Sequence, residues 1–182
     1  MPTKVSYMST ARTHHHHTQE RHHAPRIMPD ITIGVQPPKR TRAGACLYPP
    51  VVAKQSVRES DPDVDYFATA VLLDRQGSVV DGFLEGTKAA SRFEVAQSKT
   101  APASFVFPFT DLSISQLGTY TIRVDVYQVS PGDSAGAALV EQLATRVVSV
   151  FDADIPSETP SDEERSLMRR ARDAGLPMPS SP

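Results

Sequence analysis

Nucleophilic catalysis needs a base within hydrogen-bond reach of the attacking group, and all six histidines of this 182-residue chain lie at or before His23. Residues 24 to 182 offer no imidazole, and no G-x-S-x-G elbow occurs. Asp74, Asp81, Glu85, Glu94, Asp111 and Asp125 could pair in space for acid–base work, but they read first as solvated turn and strand-face carboxylates. Cys46 is the only cysteine, which excludes an intramolecular disulfide and a four-cysteine zinc site. Between Ala45 and Leu47 it reads as a small buried side chain rather than a reactive thiol. The tract His14 to His17, with His22 and His23, could hold a transition metal only loosely and without defined geometry. The expectation is a protein that is not an enzyme and needs no cofactor or structural metal.

Two loops imitate ligand sites and fail on spacing. Asp61, Asp63 and Asp65 begin like a calcium loop, but position six is Tyr66 rather than Gly and position twelve is Leu72 rather than Glu. Gly82 to Lys88 (GFLEGTK) resembles a phosphate loop, yet Thr87 separates the last glycine from the lysine. Gly77, Gly82 and Gly86 instead predict turns between short strands. Charge is what remains. Lys39, Arg40 and Arg42 follow Pro37 and Pro38 in a predicted loop, with Lys54 and Arg58 further on. Loop cations can reach phosphates, where they add affinity and salt dependence but read no sequence; an ordinary solvated loop would look the same.

The elements that would position these cations are strands. Ile31, Ile33 and Val35 alternate with Thr32, Gly34 and Gln36, which predicts a half-buried strand with all three apolar residues on one face. Further strands are expected at 51–57, 66–73, 104–109, 120–129 and 143–151. The continuous apolar run Tyr66 to Leu73 predicts a strand covered on both faces. In the 120–129 segment Tyr120, Ile122, Val124 and Val126 share a core face, leaving Thr121, Arg123, Asp125 and Tyr127 on the other. Residues 131 to 138 read as a loop. Ser161 to Glu164 has capping-box spacing, so a helix follows, with Leu167, Ala171 and Ala174 on one stripe and Arg169, Arg170 and Arg172 in its last turns, stopped at Gly175 and Pro177.

Composition fits one mainly β domain with tails. An apolar fraction of 39 % and 16 prolines suit a chain whose residues 1–29 and 179–182 lie outside a domain of residues 30–178. The net charge of −2 excludes a uniformly basic nucleic-acid binder but leaves room for a local basic patch. The lone cysteine suits a reducing compartment, and the absence of a long apolar run predicts neither secretion nor a membrane span.

Ordered segments carry a family resemblance: IGVQPPKRTRA at Ile33 to Ala43, YPPVV at Tyr48 to Val52, LEGT at Leu84 to Thr87 with Ser91, and SFVFPFTDLSISQLGTYTIRVDVYQV at Ser104 to Val129. FDADIPSETP at Phe151 to Pro160, running into the helix, adds a weaker match. Together they resemble the velvet domain of fungal regulators of sporulation and secondary metabolism. The resemblance implies a twisted β-sandwich like the immunoglobulin-like DNA-binding domains of Rel-type factors, with a short C-terminal helix. It also implies a nuclear protein, with shuttling to the cytoplasm left open. The implied partners are other velvet-domain proteins, as homo- or heterodimers, promoter DNA, and a methyltransferase-like regulator. Lys39, Arg40 and Arg42 match the family's basic first loop, and Arg123 matches a position that often carries Arg, although a structural pair with a carboxylate would serve equally there. In two places the chain departs from the pattern. Ala45, Cys46 and Leu47 stand where an Asp-Arg-Arg segment is usual, and Ser115 stands where Arg is frequent, so the resemblance implies weaker DNA binding and a non-DNA-binding dimer subunit as the alternative.

Overall fold

The computed structural model describes residues 30–56, 64–99, 101–130 and 136–180. The N-terminal histidines, Arg58, Asp61 and Asp63 lie outside these residues, as does most of the loop expected at 131–138. Eleven strands and one helix follow in order: β1 (Ile31–Val35), β2 (Arg40–Arg42), β3 (Val51–Ser56), β4 (Asp65–Leu73), β5 (Leu84–Glu85), β6 (Ala89–Ser91), β7 (Phe93–Val95), β8 (Ser104–Phe109), β9 (Ser113–Ile114), β10 (Gly118–Val129), β11 (Ala137–Phe151) and α1 (Asp162–Asp173). A four-stranded sheet, β1-β3-β8-β7, faces a five-stranded sheet, β2-β11-β10-β4-β6, and β5 with β9 forms a small third sheet. The mainly β sandwich with one C-terminal helix is the expected architecture.

Alternation builds the interior. Val51, Ala53, Phe107 and Phe109 from one sheet meet Ala68, Leu72, Tyr120, Ile122, Val124 and Val126 from the other in a single buried cluster. Each large member contributes about 1.5–3 kcal/mol by leaving water. β11 begins at Ala137, well before the predicted Leu143, because it pairs with β10 to its end, Val129 opposite Ala137.

β4 corrects one expectation. Ala68, Ala70 and Leu72 are buried, but Phe67, Thr69, Val71 and Leu73 are only half-buried, since nothing in the described chain covers the outer face of the five-stranded sheet. An antiparallel sheet tolerates this, and Phe67 recovers contact by stacking on Tyr127 across the strand pair, with ring centroids 5.0 Å apart.

β1 corrects another. The pairing with β3 slips between Ile33 and Val35, a bulge that turns Val35 away from the face of Ile31. Ile31 enters the sandwich interior, whereas Val35 joins Val52, Val106, Leu167, Met168 and Ala171 in a second cluster under the helix. At the bulge, a side chain on Gly34 would put Cβ 2.7 Å from Leu167 Cδ2 and 3.0 Å from Lys54 Cβ, so the glycine permits the helix to approach.

The helix starts as predicted. Ser161 caps it, its Oγ accepting from Glu164 N–H while the Glu164 carboxylate accepts from Ser161 N–H. The buried stripe, however, is Leu167, Met168 and Ala171, and Ala174 is exposed, because the helix ends at Asp173 and the chain turns back through Leu176 and Met178 into the same cluster. No described helix is long and apolar enough to cross a membrane.

Candidate nucleic-acid interface

Arg40 and Arg42 lie on a strand, not in the loop the sequence suggested. The three residues of β2 run parallel to the end of β11, Arg40 beside Ser149 and Arg42 beside Phe151. Such a short edge strand has no periodicity to announce it. Thr41 is buried next to Val150, so Arg40 and Arg42 project from the opposite, outer side. The Arg40 guanidinium lies 5.0 Å from the centroid of the Phe151 ring, which orients the charge without neutralising it.

The backbone beneath these cations is held on both sides. Lys39 N–H donates to Glu158 Oε2 at 2.8 Å, and Lys39 C=O accepts from Ser149 N–H at 2.8 Å. Arg146 sits at a bulge of β11, donates from Nε to Pro37 C=O at 2.5 Å, and pairs with Glu158 at 2.6 Å. Gln36 links this clamp to the helix cap: its Oε1 accepts from Arg146 N–H, and its own N–H donates to Glu164 Oε1. Burial alone would raise the Glu164 carboxyl, but the N–H groups of Gln36 and Ser161, the Ser161 hydroxyl and the nearby charge of Arg146 together hold it below its usual value. Lys39, Arg40 and Arg42 are thus exposed side chains on a fixed backbone.

Carboxylates stand close by. Arg42 Nη1 pairs with Asp154 Oδ1 at 2.9 Å, and Asp154 with Arg40, Arg42 and Tyr48 lines a hollow of about 250 Å³. The pairing was not foreseen, although the two acids of FDAD were visible in the sequence.

Arg123 stands apart. From the register, Arg40 is level with Ser149 and Thr119, so Arg123 lies four residues along and two strands across, roughly 15 Å away. Its Nε and Nη2 donate to Asp125 at 2.7 and 2.9 Å, which raises the guanidinium pKa further, and Gln142 Nε2 donates to the same carboxylate at 2.9 Å. Lys54 lies on the other outer face of the sandwich, beside Gly34 and Leu167. Two arginines and a lysine are therefore brought together, and the remaining candidates are not.

The GFLEGTK loop regains no ligand role. Thr87 donates through its N–H and hydroxyl to the Asp111 carboxylate at 3.0 and 2.8 Å, and a Cβ on Gly86 would stand 2.4 Å from Asp111 C=O, so a protein carboxylate occupies the place a phosphate would need. Among the described residues no group of three His, Cys, Asp or Glu side chains could hold a metal. Cys46 is exposed rather than buried, because its neighbour Leu47 takes the inward position; partial desolvation and then Asp111 push its thiol up, away from the reactive thiolate.

A family model described as velvet factor matches residues 2–157, most of the chain. The chain belongs to the velvet factor family. Members of this family are regulators. The matched residues include the basic edge of this velvet domain and the Arg123 pair and end before α1 begins. No curated protein matches the chain.

Proposed function

We propose that this velvet factor is a nuclear transcription regulator of fungal development and secondary metabolism, which pairs with another velvet domain and contacts promoter DNA through Lys39, Arg40 and Arg42. The observation that carries this reading is three exposed cations projecting from one edge whose backbone is clamped by Glu158, Arg146 and Ser149. Cations on a held backbone have only side-chain freedom to lose on meeting phosphates, and each contact adds affinity without reading bases. A methyltransferase-like regulator is a further partner that the family suggests.

A second reading is supported by the Arg42–Asp154 pair. A carboxylate on one of the three cations, with Glu158 nearby, suits a dimerisation subunit that binds DNA weakly or not at all. Replacing Lys39, Arg40 and Arg42 together by Ala separates the two. In a mobility-shift assay near 150 mM salt, the first reading expects binding to weaken alike on all sequences and the slope of log K against log salt to flatten by about 3. Dimerisation on size exclusion without any shift of DNA by the wild-type chain establishes the second.

A further inference from the structure

Helix α1 presents a second group of arginines that the basic edge does not include. Arg165, Arg169 and Arg172 recur at i, i+4 and i+7, which lays three guanidinium groups along about 10 Å of one helix side. They line a hollow of about 450 Å³ together with Tyr48 and Asp162. Asp162 pairs with Arg165, and Arg172 Nη2 donates to Pro179 C=O at 3.0 Å, so each of these guanidiniums is steadied while keeping unused donors. The Arg169 side chain is exposed and makes no hydrogen bond or ion pair among the described residues. The lining holds three positive charges against one negative. The helix is seated by Leu167, Met168 and Ala171; Arg165 Nη1 also donates to Pro160 C=O at 2.7 Å and Arg172 holds the returning segment at Pro179, whereas the Arg169 side chain holds neither end.

Tyr48 joins this hollow to the basic edge. Tyr48 lines both the hollow of the helix arginines and the smaller one containing Arg40 and Arg42. We propose that the Arg165–Arg169–Arg172 side of α1 is a second phosphate-contact surface, continuing across Tyr48 the track begun by Lys39, Arg40 and Arg42, so that one DNA duplex touches both β2 and the helix. The inference rests on the DNA-binding reading above. Spacing favours a polyanion over a single phosphate: a phosphorylated peptide needs arginines converging on one point, whereas a stripe of about 10 Å matches the axial rise of roughly three nucleotides of one strand. Tyr48 suits the junction because a phenol can donate to a phosphate oxygen.

The test uses the full chain and mixed-sequence duplex DNA in a salt series from about 50 to 200 mM. Replacing Arg169 and Arg172 together by Ala is expected to lower the salt slope by about 2, so that binding loses roughly tenfold less across that series than the wild type does. Arg169→Glu serves as the control against misfolding, since that side chain supports nothing in the fold; it is expected to weaken binding with the melting temperature unchanged. If both helix variants bind as the wild type while the Lys39/Arg40/Arg42 variant is weakened, the helix surface is excluded and the basic edge stands. If none of the variants changes binding, or the wild type does not bind, both the helix surface and the basic edge fall as DNA contacts. A phosphoserine peptide that binds the wild type and not Arg169→Glu, with duplex binding unaltered, also overturns the proposal by giving the hollow to a protein partner.

Discussion

Arg123 in the middle of the five-stranded sheet and Arg42 at its edge project from the same outer face, and each holds an aspartate, but solvent reaches the two pairs very differently. The side chains of Arg123 and Asp125 are 28 % and 5 % exposed and meet through two hydrogen bonds, whereas those of Arg42 and Asp154 are 58 % and 93 % exposed and meet through one. A desolvated pair is strong because breaking it strands a charge; an exposed pair is weak because water replaces either partner. The same residue types therefore serve the fold at the centre of the sheet and remain free to exchange partners at its edge. On the proposed reading, a phosphate reaching this face would compete for Arg42 far more readily than for Arg123, because only the Arg42 pair is open to water.

Removing each arginine tests this contrast most directly. Arg123→Ala removes both guanidinium hydrogen bonds and part of the cover of the Asp125 carboxylate, leaving it Gln142 alone, so it is expected to cost about 1–2 kcal/mol of stability in urea denaturation. Adding Asp125→Ala should recover much of that loss, since the stranded charge goes with it. Arg42→Ala should change stability by less than about 0.5 kcal/mol. An Arg123→Ala protein of wild-type stability that binds DNA poorly would reverse the assignment and return Arg123 to the interface.

The contrast was only half legible in the sequence. Alternation placed Ile122 and Val124 inside and Arg123 and Asp125 outside, and the capping box located the start of α1, because both signals are local and periodic. Three features depended on distant partners. The bulge at Gly34 arises from pairing with β3 and from the helix above it; β2 is a strand only because β11 lies beside it; and Asp125 is buried only because Arg123 and Gln142 cover it. Lys39, Arg40 and Arg42 could be chosen from charge and flanking prolines. Glu158 and Arg146, which hold their backbone, are separated from them by more than a hundred residues and carry no motif.

Glu164 tests whether the edge depends on being held. Its carboxylate caps the helix and accepts from Gln36, three residues before Lys39. Because its folded pKa is depressed below the ordinary 4.5, its contribution to stability is complete above about that pH and disappears as pH falls through the lower folded value. Glu164→Gln is expected to cost about 1 kcal/mol at neutral pH, and the difference from wild type should shrink below the ordinary carboxyl range. A difference that stays constant with pH would show that Glu164 acts by shape rather than charge. A loss of DNA affinity in the same variant at neutral pH would show that the clamp sets the aim of the cations.

The smallest expected effect decides what Asp154 does. Asp154→Asn keeps the side chain's size and removes one negative charge beside Arg42, at a position so exposed that stability should move by less than about 0.5 kcal/mol. If phosphate and Asp154 compete for Arg42, DNA affinity should rise about threefold at low salt, the gain fading as salt screens the carboxylate in the wild type. Unchanged affinity would mean that Arg42 stays with Asp154 while DNA is bound, leaving Lys39 and Arg40 as the contacts of this edge. The lowered salt slope of the triple variant would then be nearer 2 than 3, so the two measurements check each other.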